Sequence, residues 1–205
     1  MNARWLKKYT ELRHAENVLT TCTLHLGDPS AWPDKNDAEL IKIYAEAVSV
    51  PYVRATCLTT AADRFHFWTV FGRQDSGVCY WFDRKSLIAD IAKYETLIAR
   101  KVLYRKPNTL DEIPFSKRGQ YSDEREFRVL THSRTSDEQT SFSFSPTSLR
   151  RIYLNAWLSR KQLAEERERL MEMLRGHLSH VVIRQSRVIR KRAWIDGARS
   201  VAMGR

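Results

Sequence analysis

The 205-residue chain has only three cysteines, at positions 22, 57 and 79. An odd number at such wide spacing builds neither a disulfide framework nor a zinc site. Cys57 in "RATCLTT" and Cys79 in "GVCYWF" sit in strand-like runs, where a free cysteine serves as a small buried hydrophobe. No apolar run approaches the roughly 18 residues that cross a membrane. The opening "MNARWLKKYTELRH" lacks the apolar core of a secretory signal. The chain therefore reads as soluble and cytoplasmic, with no membrane partner. Its seven glycines form neither a G-x-G-x-x-G fingerprint nor a Walker loop, which argues against an ordinary dehydrogenase or ATPase. The six histidines (14, 25, 66, 132, 177 and 180) show no metal-ligand spacing, so no metal site is expected. There is no internal repeat and no low-complexity segment.

What is present is a globular composition, 42% hydrophobic and 11% aromatic, on a length that suits one domain. The formal charge of +11 is unevenly placed. Residues 1–100 carry 13 Lys/Arg against 12 Asp/Glu, whereas residues 101–205 carry 22 against 12. The end, "RQSRVIRKRAWIDGARSVAMGR", has seven basic residues and one acid. This points to a single domain over 1–195 and a basic tail over 196–205. Arg187, Arg190, Lys191 and Arg192 are candidate nucleic-acid contacts, because the guanidinium fork matches phosphate. A solvated tail that keeps the protein soluble explains the same composition.

Periodicity gives short strands interspersed with helices and no regular βαβ cadence, hence an α+β domain. "VRATCLTT", "GVCYWFD", "LIARKVLYR", "LRRIYLN" and "HVVIRQS" read as strands. "AELIKIYAEAV", "KSLIADIAKYE" and "RKQLAEERERLMEMLRGH" read as helices. Asp37 is the expected N-cap of the first of these, and "TSFSFS" is expected to pair with "EREFRVLTHS" across a polar turn.

The stretch "YSDEREFRVL" raises the chemical question. In a strand, Glu124 and Glu126 would share one face while Phe127 and Val129 take the other. The acids form either a catalytic pair or a solvated edge neutralised by Arg125 and Arg128. His66 and Trp68 share a face if their segment is extended and separate if it is helical. Trp32 and Asn36, in "WPDKND", are candidates for lining a pocket.

In order along residues 5–195, Tyr9, "KND", "TCLT", "HFW", "GVCYWF", "VLY" and "EREFR" resemble a widespread bacterial and phage family catalogued as a domain of unknown function. Leu58 departs from the aromatic common at its position. That family is in turn distantly similar to the ADP-ribosyltransferase-like folds, including the DarT type that modifies DNA. The resemblance implies a mixed, split β-sheet flanked by helices, with NAD in a central cleft. It implies Glu126 as the catalytic acid and Glu124 as its partner toward the acceptor. Tyr9, Trp32, Asn36, His66, Trp68 and Arg118 are implied to line the NAD site, with Tyr9 in place of the usual His or Arg. The function expected is thus an ADP-ribosyltransferase-like enzyme, a toxin or phage-defence effector acting on nucleic acid or protein. A non-catalytic nucleic-acid-binding module on the same fold is the alternative. A nuclease with Asp34, Asp37, Glu124 and Glu126 around Mg²⁺ ranks last, for want of a compact acidic signature.

Overall fold

The computed structural model describes residues 3–73, 76–135, 139–189 and 192–203. Seven strands make up its central sheet: β1 (Trp5–Glu11), β3 (Tyr52–Thr59), β4 (Gly77–Asp83), β5 (Leu97–Lys101), β6 (Glu126–Ser133), β8 (Leu149–Leu154) and β9 (Val182–Gln185). Their order across the sheet is β5-β6-β3-β1-β4-β8-β9. Every pair is antiparallel except β8–β9, which the helix α5 (Arg160–Met173) connects in parallel. The expected α+β layout with a mixed sheet flanked by helices is what the chain adopts.

The sheet is split at its middle. β1 and β4 are paired along seven register positions, but β1 and β3 share only Lys7↔Thr59. Further along, the free edge of β3 is taken by Gly27, whose N–H and C=O both bond Ala55. Lys8 reaches across the opening to donate to the Cys57 carbonyl at 3.3 Å.

Alternation along the strands gives the sheet two unlike faces. Leu6, Leu58, Tyr80, Phe82, Phe127, Val129, Ile152 and Ile183 point to one side and are buried. They form the main core with α1 (Ala15–Thr21), α4 (Arg84–Ile91) and α5. The opposite face carries two small apolar clusters. One gathers Ile41, Ala55, Phe115 and Leu130 beneath α2 (Lys35–Ala47), and the other gathers Tyr9, Ala61, Phe67, Trp68 and Cys79 beneath α3 (Phe65–Val70). Between the clusters lie charges.

Two local expectations are corrected. The N-cap of α2 is Asp34, whose carboxylate accepts from the N–H groups of Asn36 and Asp37, so Asp37 sits inside the first turn. The strand β7 (Ser141–Ser143) pairs with β2 (Thr23–His25) and not with β6, because β3 and β5 already occupy both edges of β6. At the C-terminal end, α6 (Arg192–Ala202) runs across position 195.

Candidate functional site

The segment leading into β6 decides the site. Residues Gly119–Glu124 form a 3-10 helix that ends at Arg125, held in the left-handed region at φ 45°. β6 begins at the next residue, so Glu124 and Glu126 do not alternate along one strand. They converge because the chain turns between them. Both carboxylates reach the Lys117 ammonium, Glu124 at 2.7 Å and Glu126 at 3.5 Å. Asp37 approaches the same ammonium at 3.4 Å from the first turn of α2. The point where three carboxylates meet, and where a divalent ion would sit, is filled by the Lys117 side chain.

Arg128, fully buried, ties this cluster to the fold. Its guanidinium donates to Glu126 at 2.7 Å, to Asp37 at 2.9 Å and to the Pro114 carbonyl at 2.8 Å. It also lies 4.9 Å over the Trp32 ring. The Glu126 N–H donates to the Tyr104 hydroxyl at 2.6 Å, and Thr59 donates to the Glu124 carbonyl. Glu126 is 5% exposed and β6 is an inner strand, so the solvated-edge reading fails.

The three acids respond differently to this setting. Burial pushes Glu126 up, but the Arg128 guanidinium and Lys117 outweigh it and hold the carboxyl at about 2. Burial prevails at Glu124 and at Asp37, and both are raised above the ordinary range. Asp37 has one oxygen, Oδ1, that accepts no hydrogen bond among the described residues. Burial pulls Lys117 down, yet the surrounding carboxylates lift it overall, so it stays an ammonium.

The remaining expected residues divide into two places. Tyr9 donates to Asp63 at 2.9 Å, as does the Trp68 indole at 2.7 Å, and Ser186 donates to the other oxygen of Asp63 at 2.5 Å. This knot lies in the second apolar cluster, so Tyr9 and Trp68 are packed and polar-satisfied. α3 is helical, which separates His66 from Trp68: His66 is exposed and pairs with Asp123 at 3.0 Å, alongside Arg64 at 3.4 Å. Arg118 is exposed, 3.6 Å from Asp34 and bonded to the Tyr121 hydroxyl. Asn36 is exposed and helps cap α2. Trp32 reaches the acid cluster through Arg128. Arg187 lies exposed after β9 and Arg192 opens α6, while Arg190 and Lys191 lie outside the described residues. Sequence reasoning missed Lys117, Tyr104 and Asp63, and it grouped Asp37 with Glu124 and Glu126 only as metal ligands of the nuclease reading. An arginine two places after Glu126, on the same face of the expected strand, was a further signal for the cluster.

A second charged region extends along the same face. One row of register partners runs Glu126, Thr59, Lys7, Trp81, Arg151 across five strands. At its far end Arg151 lies 5.0 Å from the Trp5 ring and 5.9 Å from the Trp81 ring, and Arg4 lies 4.6 Å over Trp5. Tyr153 stacks on Trp81 at 4.7 Å, and Arg184 is its register partner on β9. Among the described residues, no carboxylate forms an ion pair with Arg4, Arg151 or Arg184.

No family model and no curated protein matches the chain. Among solved structures it is similar to DarT of Thermus sp. 2.9 in three states. The complex with ADP-ribosylated ssDNA gives a TM-score of 0.48 at 10% identity, covering 89% of this chain and 94% of that one. The complex with NAD+ gives 0.47 at 10%, covering 90% and 96%. The complex with carba-NAD+ gives 0.45 at 7%, covering 91% and 97%. A likeness this faint does not extend to an activity.

Proposed function

We propose that the chain transfers ADP-ribose from NAD to a nucleic acid or protein in the cytoplasm, as a toxin or phage-defence effector would. The observation that carries this reading is the divergence of two carboxylates sharing one ammonium: Glu126 held ionised, Glu124 pushed up. Paired acids whose proton affinities are driven apart divide the labour of acid–base chemistry. The resemblance of "EREFR" to the transferase motif agrees with it.

In the proposed step the bond between ribose C1′ and the nicotinamide nitrogen breaks, and its electron pair leaves with nicotinamide. Glu126, a fixed negative charge, stabilises the positive charge that develops on the ribose. The acceptor oxygen or nitrogen forms its bond to C1′ and gives up a proton, which Glu124 takes. Lys117 holds both carboxylates in place. Arg118, exposed on the same segment, suits the pyrophosphate, and the Trp32 and Tyr121 rings suit the flat bases. A nucleic-acid acceptor is supported by the row that leads from Glu126 to Trp81 and Arg151.

Nicotinamide release tests the reading. Glu126→Gln is expected to abolish turnover in a chain that stays folded at neutral pH but is less stable, since Arg128 loses one of its two buried carboxylate partners while Asp37 remains. Glu124→Gln should retain NAD hydrolysis and lose transfer to an acceptor. Equal turnover in wild type and both variants overturns the proposal. The second reading, a non-catalytic nucleic-acid-binding module, is favoured by the mutual burial of Glu126 and Arg128. Absent turnover with retained oligonucleotide binding would select it.

A further inference from the structure

The helix α6 has an apolar side that no described residue covers. At 100° per residue, Trp194, Ile195, Ala198, Val201 and Ala202 fall within one arc, while Arg192, Asp196, Arg199 and Ser200 fall on the other. α6 buries none of its residues. Trp194 is 79% exposed, Ile195 50% and Val201 78%, with Met203 at 66% just beyond. Such a run of large apolar side chains is costly in water and marks a contact surface. Its surroundings are cationic: from residue 184 to the end there are seven basic residues and one acid. That acid, Asp196, is already engaged by Arg199 at 3.5 Å.

Three kinds of occupant could cover this arc, and charge separates them. A second copy of the chain would bring the same cations against these. A nucleic acid would satisfy the arginines and leave the indole, Ile195 and Val201 in water. A bilayer with anionic headgroups meets both demands at once. We propose that α6 lies flat in the headgroup layer of an anionic membrane, with Trp194, Ile195 and Val201 downward and Arg192 and Arg199 at phosphate level. It rests on the membrane and does not span it, since no described helix is long and apolar enough to cross. The proposal is independent of any transfer chemistry.

Co-sedimentation of the full chain with vesicles tests it, using phosphatidylcholine alone or mixed with phosphatidylserine. Binding is expected to the mixed vesicles only, with a blue shift of tryptophan emission. Trp194→Ala should weaken it by about tenfold or more, and Arg192→Gln or Arg199→Gln by about fivefold each. All three side chains are exposed, so the fold should survive, and a thermal melt verifies this. Equal binding to both vesicle types, or unchanged binding by Trp194→Ala, overturns the proposal. So does concentration-dependent dimerisation that Trp194→Ala abolishes, since a second copy would then cover the face. Displacement from the mixed vesicles by a short oligonucleotide also overturns it in favour of nucleic acid.

Discussion

Two charged regions share one face of one sheet and answer to different physics. Around Glu126, every charge is met by an opposite charge: three carboxylates face Lys117 and Arg128 inside the protein. Around Trp81, Arg4 and Arg151 meet aromatic rings and form no ion pair among the described residues. Lys7 joins the two, with its ammonium 4.4 Å over the Trp81 ring and its backbone beside Thr59. A self-neutralising cluster answers mainly to folding and to proton placement. A set of cations balanced only by rings still attracts anions. Breaking each region should therefore show up in a different measurement.

The largest effect is expected at Arg128. Arg128→Ala removes one of the two bases and leaves three acids, Asp37 and Glu126 buried and Glu124 partly so, around a single ammonium. Stripping one partner from a buried ion pair costs about 3–5 kcal/mol, enough to unfold much of a marginally stable domain. Chemical denaturation measures the loss. Glu126→Gln added to Arg128→Ala should recover part of it, because the two side chains are in contact and their effects are coupled. A loss within the ordinary surface range would mean that water or another group compensates the cluster.

Acid comes next. Glu126 has its carboxyl lowered from 4.5 to about 2 by Arg128 and Lys117 against the push of burial. Its contribution to stability is therefore complete above its unfolded value and is lost as pH falls through the folded one. Each tenfold gain in acidity on folding corresponds to about 1.4 kcal/mol, which makes that limb worth about 3 kcal/mol. Glu124 and Asp37 are raised, so their contributions run the other way: present at low pH and lost as pH rises through their folded values. Denaturant melts across the acid range should show a falling limb below the ordinary glutamate value that Glu126→Gln makes shallower, the remainder coming from other lowered carboxyls such as Asp34 and Asp90. Glu124→Gln should keep that limb and flatten the decline on the higher-pH side. A limb left unchanged by Glu126→Gln would belong wholly to the other carboxylates.

The strands and helices are legible in the sequence because their periods are plain. "GVCYWFD" and "VRATCLTT" form inner strands, and "RKQLAEERERLMEM" forms α5 with its capping box at Ser159 and Gln162. The pairing of Glu124 with Glu126 is legible too, though by the wrong geometry. Their spacing suggests a strand period, whereas a 3-10 turn and a left-handed residue bring them together. Asp37 reads as a cap because capping is local, yet its partner in the fold, Arg128, is 91 residues away. Lys117 leaves no trace in its own neighbourhood, since its meaning depends on three elements brought together by the fold. The cation–aromatic row is illegible for the same reason: Trp5, Trp81 and Arg151 each lie in ordinary strand patterns, and only the register puts them side by side.

The smallest effect on stability, and the sharpest separation of the two regions, is expected at Arg151 and Arg184. Both are on the face of the sheet that bears Trp81 and Tyr153, and neither has an ion-pair partner among the described residues. Arg184 is exposed, so Arg184→Glu should stay within about 0.5 kcal/mol of wild type. Arg151→Gln keeps much of the side-chain packing on the two indoles while removing the charge. If this face attracts a nucleic acid, anisotropy with a labelled single-stranded oligonucleotide should show weaker binding in both variants. The salt dependence should also be shallower, because each cation removed releases one fewer counterion. Duplex should bind less well than the single strand, since only unpaired bases can stack against indole or guanidinium planes. The assay contains no NAD, so an inert Glu126 centre would not change its outcome. If the variants bind as wild type does, the row of rings and arginines is packing, and the cations around Trp81 are as self-sufficient as those around Glu126.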